Sequence, residues 1–440
     1  SGGDAGSVTL NTNTGVITLN SSTITAAGGL GNGTGDQGAG ATIRVEDAVV
    51  LASGAASIDT GATAGDIVFE NTINGGQDLT LTAGTGSLTF TGAVGAATSG
   101  ELGAILINSA NQTLASSTIE AASLVQSAGT LTTLTDNVTT TDAAGVNLTS
   151  TDIRLDGLTI DTTTGNGVVR MNGDTRLDGT VTITRGTGAV TFTGTLDSQA
   201  SEGNNLTIDG ANGATIAFED NVGAGTNARL GAVTIATATG VTVSDTKSFN
   251  AASFEQQAGS GATVFGGTLN TSGQIGGIPN NANGIDITTT GTVQFKDTVT
   301  TTGSGAVAIS NAGTLTIDNG ATFNLAGAFD QSGGGSVSLG ANITTADAAI
   351  GFTNAITLTN GVTLGTGAGA GTVTLGNTID SDATARALTI TAGTGDVVFQ
   401  SGAHAGTTTS TSALASLTVS GANITLRDVT TAGAQSYTAA

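Results

Sequence analysis

The strongest constraint on this chain is that it repeats itself. Leu79 to Gly92 reads LTLTAGTGSLTFTG, Val181 to Gly194 reads VTITRGTGAVTFTG, and the stretch from Leu388 reads LTITAGTGDVVFQSG. Each unit runs apolar-Thr-apolar, then a glycine-rich turn, then apolar-x-Phe. The first two copies start 102 positions apart and the second and third 207 apart, suggesting a long repeat of about 103 residues. Looser copies begin at Leu158, Leu206, Val233, Ile285, Leu315 and Leu417. From Leu158 through Val181 to Leu315 the starts differ by 23, 25, 27, 52 and 30, where 52 reads as two steps. The working period is therefore 23 to 31 residues.

Alternation of apolar residues with Thr is the period-two signature of a strand with one buried face. A three-strand coil with short turns needs just over ~20 residues, and stacking coils at ~4.8 Å pairs the backbone groups of neighbours. Gly at the corners allows positive φ and close backbone approach. No helical apolar pattern of useful length occurs. The fold expected is all-β: a single-stack parallel β-helix, or β-solenoid, right-handed, spanning residues 1–440 as one region. It would have about 16 to 18 coils and a length on the order of 80 Å. Phe90, Phe192, Phe218, Phe295 and Phe399 are expected as core filling at equivalent strand ends. Gly28 to Gly40 and Gly273 to Gly284, the latter holding Pro279, fit the coil poorly and are expected as loops outside the stack. Solenoid function often sits on such loops.

Composition narrows the class of function. Gly supplies 70 of 440 positions, about 16% against a usual ~7%. A single Pro and the steady supply of β-branched residues argue against disorder, and the glycines lack collagen's three-residue period. Ten Lys and Arg against 33 Asp and Glu give a net charge of −23, which would repel a phosphate backbone, so no nucleic-acid partner is expected. No 18-residue apolar run exists, so no insertion into a membrane is expected of this segment. With no Cys, disulfides and thiolate metal sites are excluded. The start at Ser1, without Met or a signal-like segment, leads us to expect a piece of something longer.

Candidate chemistry is sparse. His404, the only imidazole, lies in a small-residue turn with no triad partner in sequence. The densest cluster of charge is Asp152, Arg154, Asp156, Asp161, Arg170, Asp174, Arg176 and Asp178, which neighbouring coils could gather into one patch. Carbohydrate-active β-helices need clustered carboxylates with cations and sugar-stacking aromatics. This cluster has no Tyr, Trp or His, and it reads as an ion-pair ladder. Calcium repeats of the G-G-x-G-x-D-x-U-x type and EF-hand loops are absent, and the nearest string, around Asp36, is out of phase. Glu219 with Asp220, and Asp380 with Asp382, could bind ions weakly. Thr80 with Thr82, Thr357 with Thr359, and Thr389 with Thr391 resemble the hydroxyl pairs of ice-binding solenoids, but Thr is also simply a good β-former. Sequons at Asn137, Asn147 and Asn205 carry little information in so Asn- and Thr-rich a chain. No catalytic, cofactor-binding or metal residue is therefore expected, and no cofactor.

The repeated units, with the closing stretch SLTVSGANITLRDVTTAGAQSY from Ser416 to Tyr437, resemble the β-strand repeats of giant bacterial surface proteins, the filamentous-haemagglutinin-like adhesins. The resemblance implies export, a parallel β-helix shaft, and a part in attachment, aggregation or a surface fibre. Partners would then be a host or neighbouring-cell surface, its glycans or matrix. With only Lys247 and Lys296 as lysines, a continuous hydrogen-bonded stack suits an exposed, protease-resistant structural element. A non-catalytic structural and adhesive role is expected. A filament or sheath subunit, polymerising with copies of itself through its solenoid ends, is the second reading. A polysaccharide-active enzyme, short of aromatics beyond Tyr437, is the third.

Overall fold

A computed structural model describes residues 2–31, 37–96, 100–210, 213–273, 283–406 and 413–439. Among these it has 46 strands and no helix, and every strand pairing is parallel; the fold is a β-solenoid of about 16 turns. The chain divides into two compact units, Ser1–Gln199 with Asn204–Ala214, and Ala200–Gly203 with Thr215–Ala440. Each unit is built the same way. Three short strands make a coil, and each strand lies on the corresponding strand of the next coil, so three columns of strands form three faces.

The first unit shows why the sequence does this. In one column Leu81 stacks on Ile107, then Gln126, Leu148, Met171 and Phe192, each one coil further along. All six are buried. Their neighbours on either side in sequence point outward, so strands such as Leu79–Thr82 alternate buried and half-buried positions. Like stacks on like because in-register parallel pairing puts inward residues only over inward residues.

The second unit carries an aromatic spine. Phe265 lies flat on Phe295 with ring centroids 5.4 Å apart and planes 4° apart. Edge-on contacts at 5.1–5.8 Å join Phe249 to Phe254, Phe254 to Phe265, Phe295 to Phe323, and Phe323 to Phe329. All 12 Phe of the chain are buried. The five expected as core residues do end their strands, but they do not share one column. Phe90 lies over Phe69 in one column of the first unit, whereas Phe192 lies over Met171 in another. In the second unit Phe295 lies over Phe265 and Phe399 over Leu375, again in different columns.

The long repeat of about 103 residues is corrected for the same reason. Leu81 of the first copy stacks up to Phe192, the second strand of the next copy, not to Ile183, its counterpart in sequence. The strand–turn–strand unit is a corner module that can occupy different corners of the coil. Coil length also varies more than the start positions suggest: Val337 meets Ile356, 19 positions on, whereas Val8 meets Ile43, 35 on.

Both expected excursions fall partly outside the described residues, at 32–36 and at 274–282, which include Asp36 and Pro279. The described flanks show the first one pinched at its base. Gly38 donates to the Gly29 carbonyl at 3.0 Å and Gly29 donates to that of Gly3 at 2.8 Å. At the second, Gly273 donates to the Ala252 carbonyl at 2.7 Å, and the next strand opens at Asn283.

Candidate functional site: a mixed-charge groove and its corner

Most corners of the first unit are broken by a turn, but one is crossed by unbroken strands, first by Leu102–Ala115 and later by a directly paired couple, Val146–Leu155 and Val169–Leu177. Thr149 pairs with Asn172 and Asp152 with Asp174, so one residue more lies on the first strand than on the second. This bulge bends the pair and aims the following residues onto the next face. Gly173 makes the bend possible. Its φ is +146°, and a Cβ there would lie 1.7 Å from the Ser150 carbonyl oxygen.

Beyond the bend Asp152 stacks on Asp174, and Arg154 stacks on Arg176, which in turn stacks on Asp197. Together with Ile153, Thr175 and Thr195 these five charges line an open groove of about 280 Å³. The register thus gathers Asp152, Arg154, Asp174 and Arg176 of the cluster expected from sequence and adds Asp197. The other members lie elsewhere. Arg170 donates from Nε to Asn172 Oδ1 at 2.6 Å, and Asn172 donates to Asn147 Oδ1 at 2.8 Å. Asp161 accepts from the backbone and hydroxyl of its neighbour Thr163. Asp178 takes the Arg176 guanidinium, Nη2 to Oδ2 at 2.9 Å. Asp156 is exposed at the following corner.

Within the groove the Asp174 carboxylate accepts the Thr195 N–H at 2.9 Å. Among the described residues the side chains of Arg154 and Asp152 make no hydrogen bond or ion pair, although their backbones belong to the ladder. The groove therefore offers opposite charges two residues apart on one strand, about 6.6 Å along it. That geometry can hold ionic groups at a salt-sensitive surface. It contains no imidazole, phenol or thiol. Among the described residues no three acidic or His side chains are arranged to hold a metal ion.

His404 engages its neighbours through its backbone carbonyl, which accepts the Ile379 N–H at 2.9 Å. Asp220 pairs with Lys247 Nζ at 2.7 Å, and that bond and the Asn221 N–H hold its carboxyl below the ordinary carboxylate range. Asp382 is likewise lowered by the Arg386 guanidinium, 2.8 Å away. Lys296 reaches Asp245 at 2.9 Å, so both lysines are ion-paired between coils. In the second unit Thr357 and Thr389 lie in different columns, over Ser338 and Thr363 respectively.

Sequence reasoning missed the corner hydroxyls. Thr60, Thr162 and Thr366 are buried, and each donates to the carbonyl of the Gly five residues on, at 2.7–2.8 Å. The signal is a Thr-x4-Gly string at a strand end, and each bond satisfies a buried turn carbonyl. Buried Gln side chains serve the same purpose: Gln126 donates to the Ala128 carbonyl at 3.2 Å and Gln256 to that of Ala258 at 3.5 Å, while each accepts a Thr hydroxyl, from Thr132 and Thr263. Arg185 occupies the place in the column next to Thr162 and is fully buried. Burial pushes its guanidinium down from the usual arginine range, partly offset by the nearby Asp209 carboxylate.

No family model, curated protein or solved structure matches this chain.

Proposed function

We propose that this chain is a non-catalytic structural and adhesive segment of a cell-surface or extracellular protein. One observation carries the reading: in each unit the coils are joined by in-register parallel pairing around an interior filled by aliphatic and phenylalanine side chains. Such a stack spends its inward residues on stability and leaves every outward residue free to vary for contact. The repeat style shared with filamentous-haemagglutinin-like adhesins supports the same use, as do the uncharged Thr, Ser and Asn on much of its surface. Partners on this reading are surfaces bearing glycans or matrix. The test is to display the chain on a non-adherent bacterium and measure attachment and cell–cell aggregation. Adhesion above that of cells displaying an unrelated β-protein of similar size is expected; no gain would sink the proposal.

The coil chemistry supports a second use, as a subunit stacked end to end. A parallel coil presents the same unpaired donors and acceptors to a following coil whether that coil belongs to this chain or to another copy. Negative-stain microscopy across concentration distinguishes discrete particles from fibres.

A further inference from the structure

One face of the second unit carries no charge along its whole stack, although the chain is strongly acidic. Its column runs from Asn250 through Asn270, Thr300, Asn324 and Thr344, stacked directly coil on coil. Past Gly365 it continues through Thr391, Ser420 and Thr438. Two residues earlier on each strand runs a companion column. Thr268, Thr298, Thr322 and Asn342 are held there by the backbone bonds they accept from the preceding coil, and Thr363, Thr389, Thr418 and Ser436 continue it in register. The residue between the two columns points inward and is buried, as at Leu269, Val299, Phe323 and Ile343. Over nine successive coils, roughly 40 Å of stack, neither column holds a charged residue. The coils between these strands vary in length, 20 residues from Phe249 to Leu269 and 30 from Leu269 to Val299, yet the pair recurs in register.

Two further facts bear on what this face can do. The side chains of Thr268, Asn270, Thr298, Thr300, Asn324 and Thr344 make no hydrogen bond to the described protein, so their donors and acceptors are available outward. And the neighbouring face of the same unit is acidic, with Glu255, Asp286 and Asp330 stacked in its column. Polyanions are opposed by the overall charge of −23, and polycations are drawn to the carboxylates of the neighbouring face. What the uncharged face complements is an uncharged, hydroxyl-rich polymer. The mixture of amides and hydroxyls suits a chain of sugar hydroxyls, which donate and accept at irregular heights; a crystalline water surface would need the same group at every node.

We propose that this Thr/Asn face of the second unit binds a neutral polysaccharide lying along the stack. The inference deepens the attachment reading and rests on it for its purpose. Each residue contributes little, about 0.5–1.5 kcal/mol for a net hydrogen bond, so strength comes from many coils engaging one polymer.

The full chain is tested for co-sedimentation with insoluble cellulose, xylan and cross-linked dextran, with pectate as the acidic control, and for binding to soluble neutral oligosaccharides of increasing length. Expected are capture by a neutral polymer, none by pectate, and affinity that climbs with oligosaccharide length. Thr300→Val with Thr344→Val keeps strand propensity and shape while removing two hydroxyls, and weakens binding about tenfold. Thr374→Val on the acidic face leaves it unchanged. Circular dichroism confirms that each variant folds, and Thr300→Ser with Thr344→Ser restores binding if the valine pair perturbs the strands. Binding to none of the three neutral polymers overturns the proposal, as does equal loss in Thr374→Val. Ice-growth inhibition without glycan binding would assign the face to crystalline water, and self-association abolished by the valine pair would assign it to a second copy; either overturns it. The display assay can still succeed in all of these cases, through another face, so the two readings fail separately.

Discussion

Phe265 packs edge-on to Phe249 and Phe254 and flat on Phe295, and no solvent reaches it. Truncating it leaves a void bounded by three rings, two on the strand Phe249–Gln256 and Phe295 one coil further on, which cannot collapse without shifting their strands. Phe265→Ala should cost about 3–5 kcal/mol and Phe265→Leu less than about 1.5 kcal/mol, measured by denaturant unfolding. Charge at the residue scale has a definite sign. Asp220 is held below the ordinary carboxylate range by Lys247 and by the Asn221 N–H. A carboxylate whose folded value is depressed stabilises fully above its unfolded value, near ~3.9, and loses that stabilisation as pH falls through the lower folded value. Asp220→Asn should therefore lower stability at neutral pH and shallow the fall in stability below about pH 4. An unchanged acid limb in urea titrations across that range would show that the pair contributes nothing.

At the scale of the element, the bend at Gly173 is the feature most exposed to a single change. Its φ of +146° is a conformation L side chains rarely adopt, and the Ser150 carbonyl occupies the space a Cβ would need. Gly173→Ala should destabilise by more than the ~1 kcal/mol that separates Gly from Ala on unstrained backbone. It should also loosen the groove, read as faster amide exchange at Thr151–Leu155 and Arg176–Leu177. A change confined to position 173 would mean that the bulge absorbs the methyl. The same element shows what could be read in advance. Alternation in LTLTAGTGSLTF betrays the strands and the Gly-rich corner because inward burial and tight turns are both local demands. Which strand lies over which is not local. The chain could be read for Asp152, Arg154, Asp174 and Arg176, two residues apart and roughly one period apart, but not for Asp197, which enters only through the register of Arg176. Phe90 and Phe192 look equivalent in sequence because each closes the same corner module, and only stacking reveals that the module has moved to another corner. The uncharged face was hidden for the same reason: Asn250, Asn270 and Thr300 are 20 and 30 positions apart, and no fixed period joins them.

At the scale of the whole molecule, 33 acidic residues face ten basic ones, and six ion pairs join members of the two sets among the described residues. Repulsion among the remaining carboxylates outweighs those mostly exposed pairs, each worth little on its own. Raising ionic strength from about 0.01 M to 0.15 M shortens the screening length from ~30 Å to ~8 Å. The thermal midpoint should rise over that interval, followed by circular dichroism; a fall would mean that the ion pairs dominate.

The columns of this fold keep count of strands and ignore how many residues lie between them. A corner can hold the few residues between Leu325 and Phe329 or the longer stretch between Gly365 and Val373, and the strands on either side keep their faces. Length at a corner and pattern within a strand are therefore inherited separately. Insertions at corners can accumulate in a lineage without scrambling a neighbouring coil, and foreign peptides spliced there by design should be carried without rewriting the stack. For such a chain the heritable unit is the single strand with its inward pair.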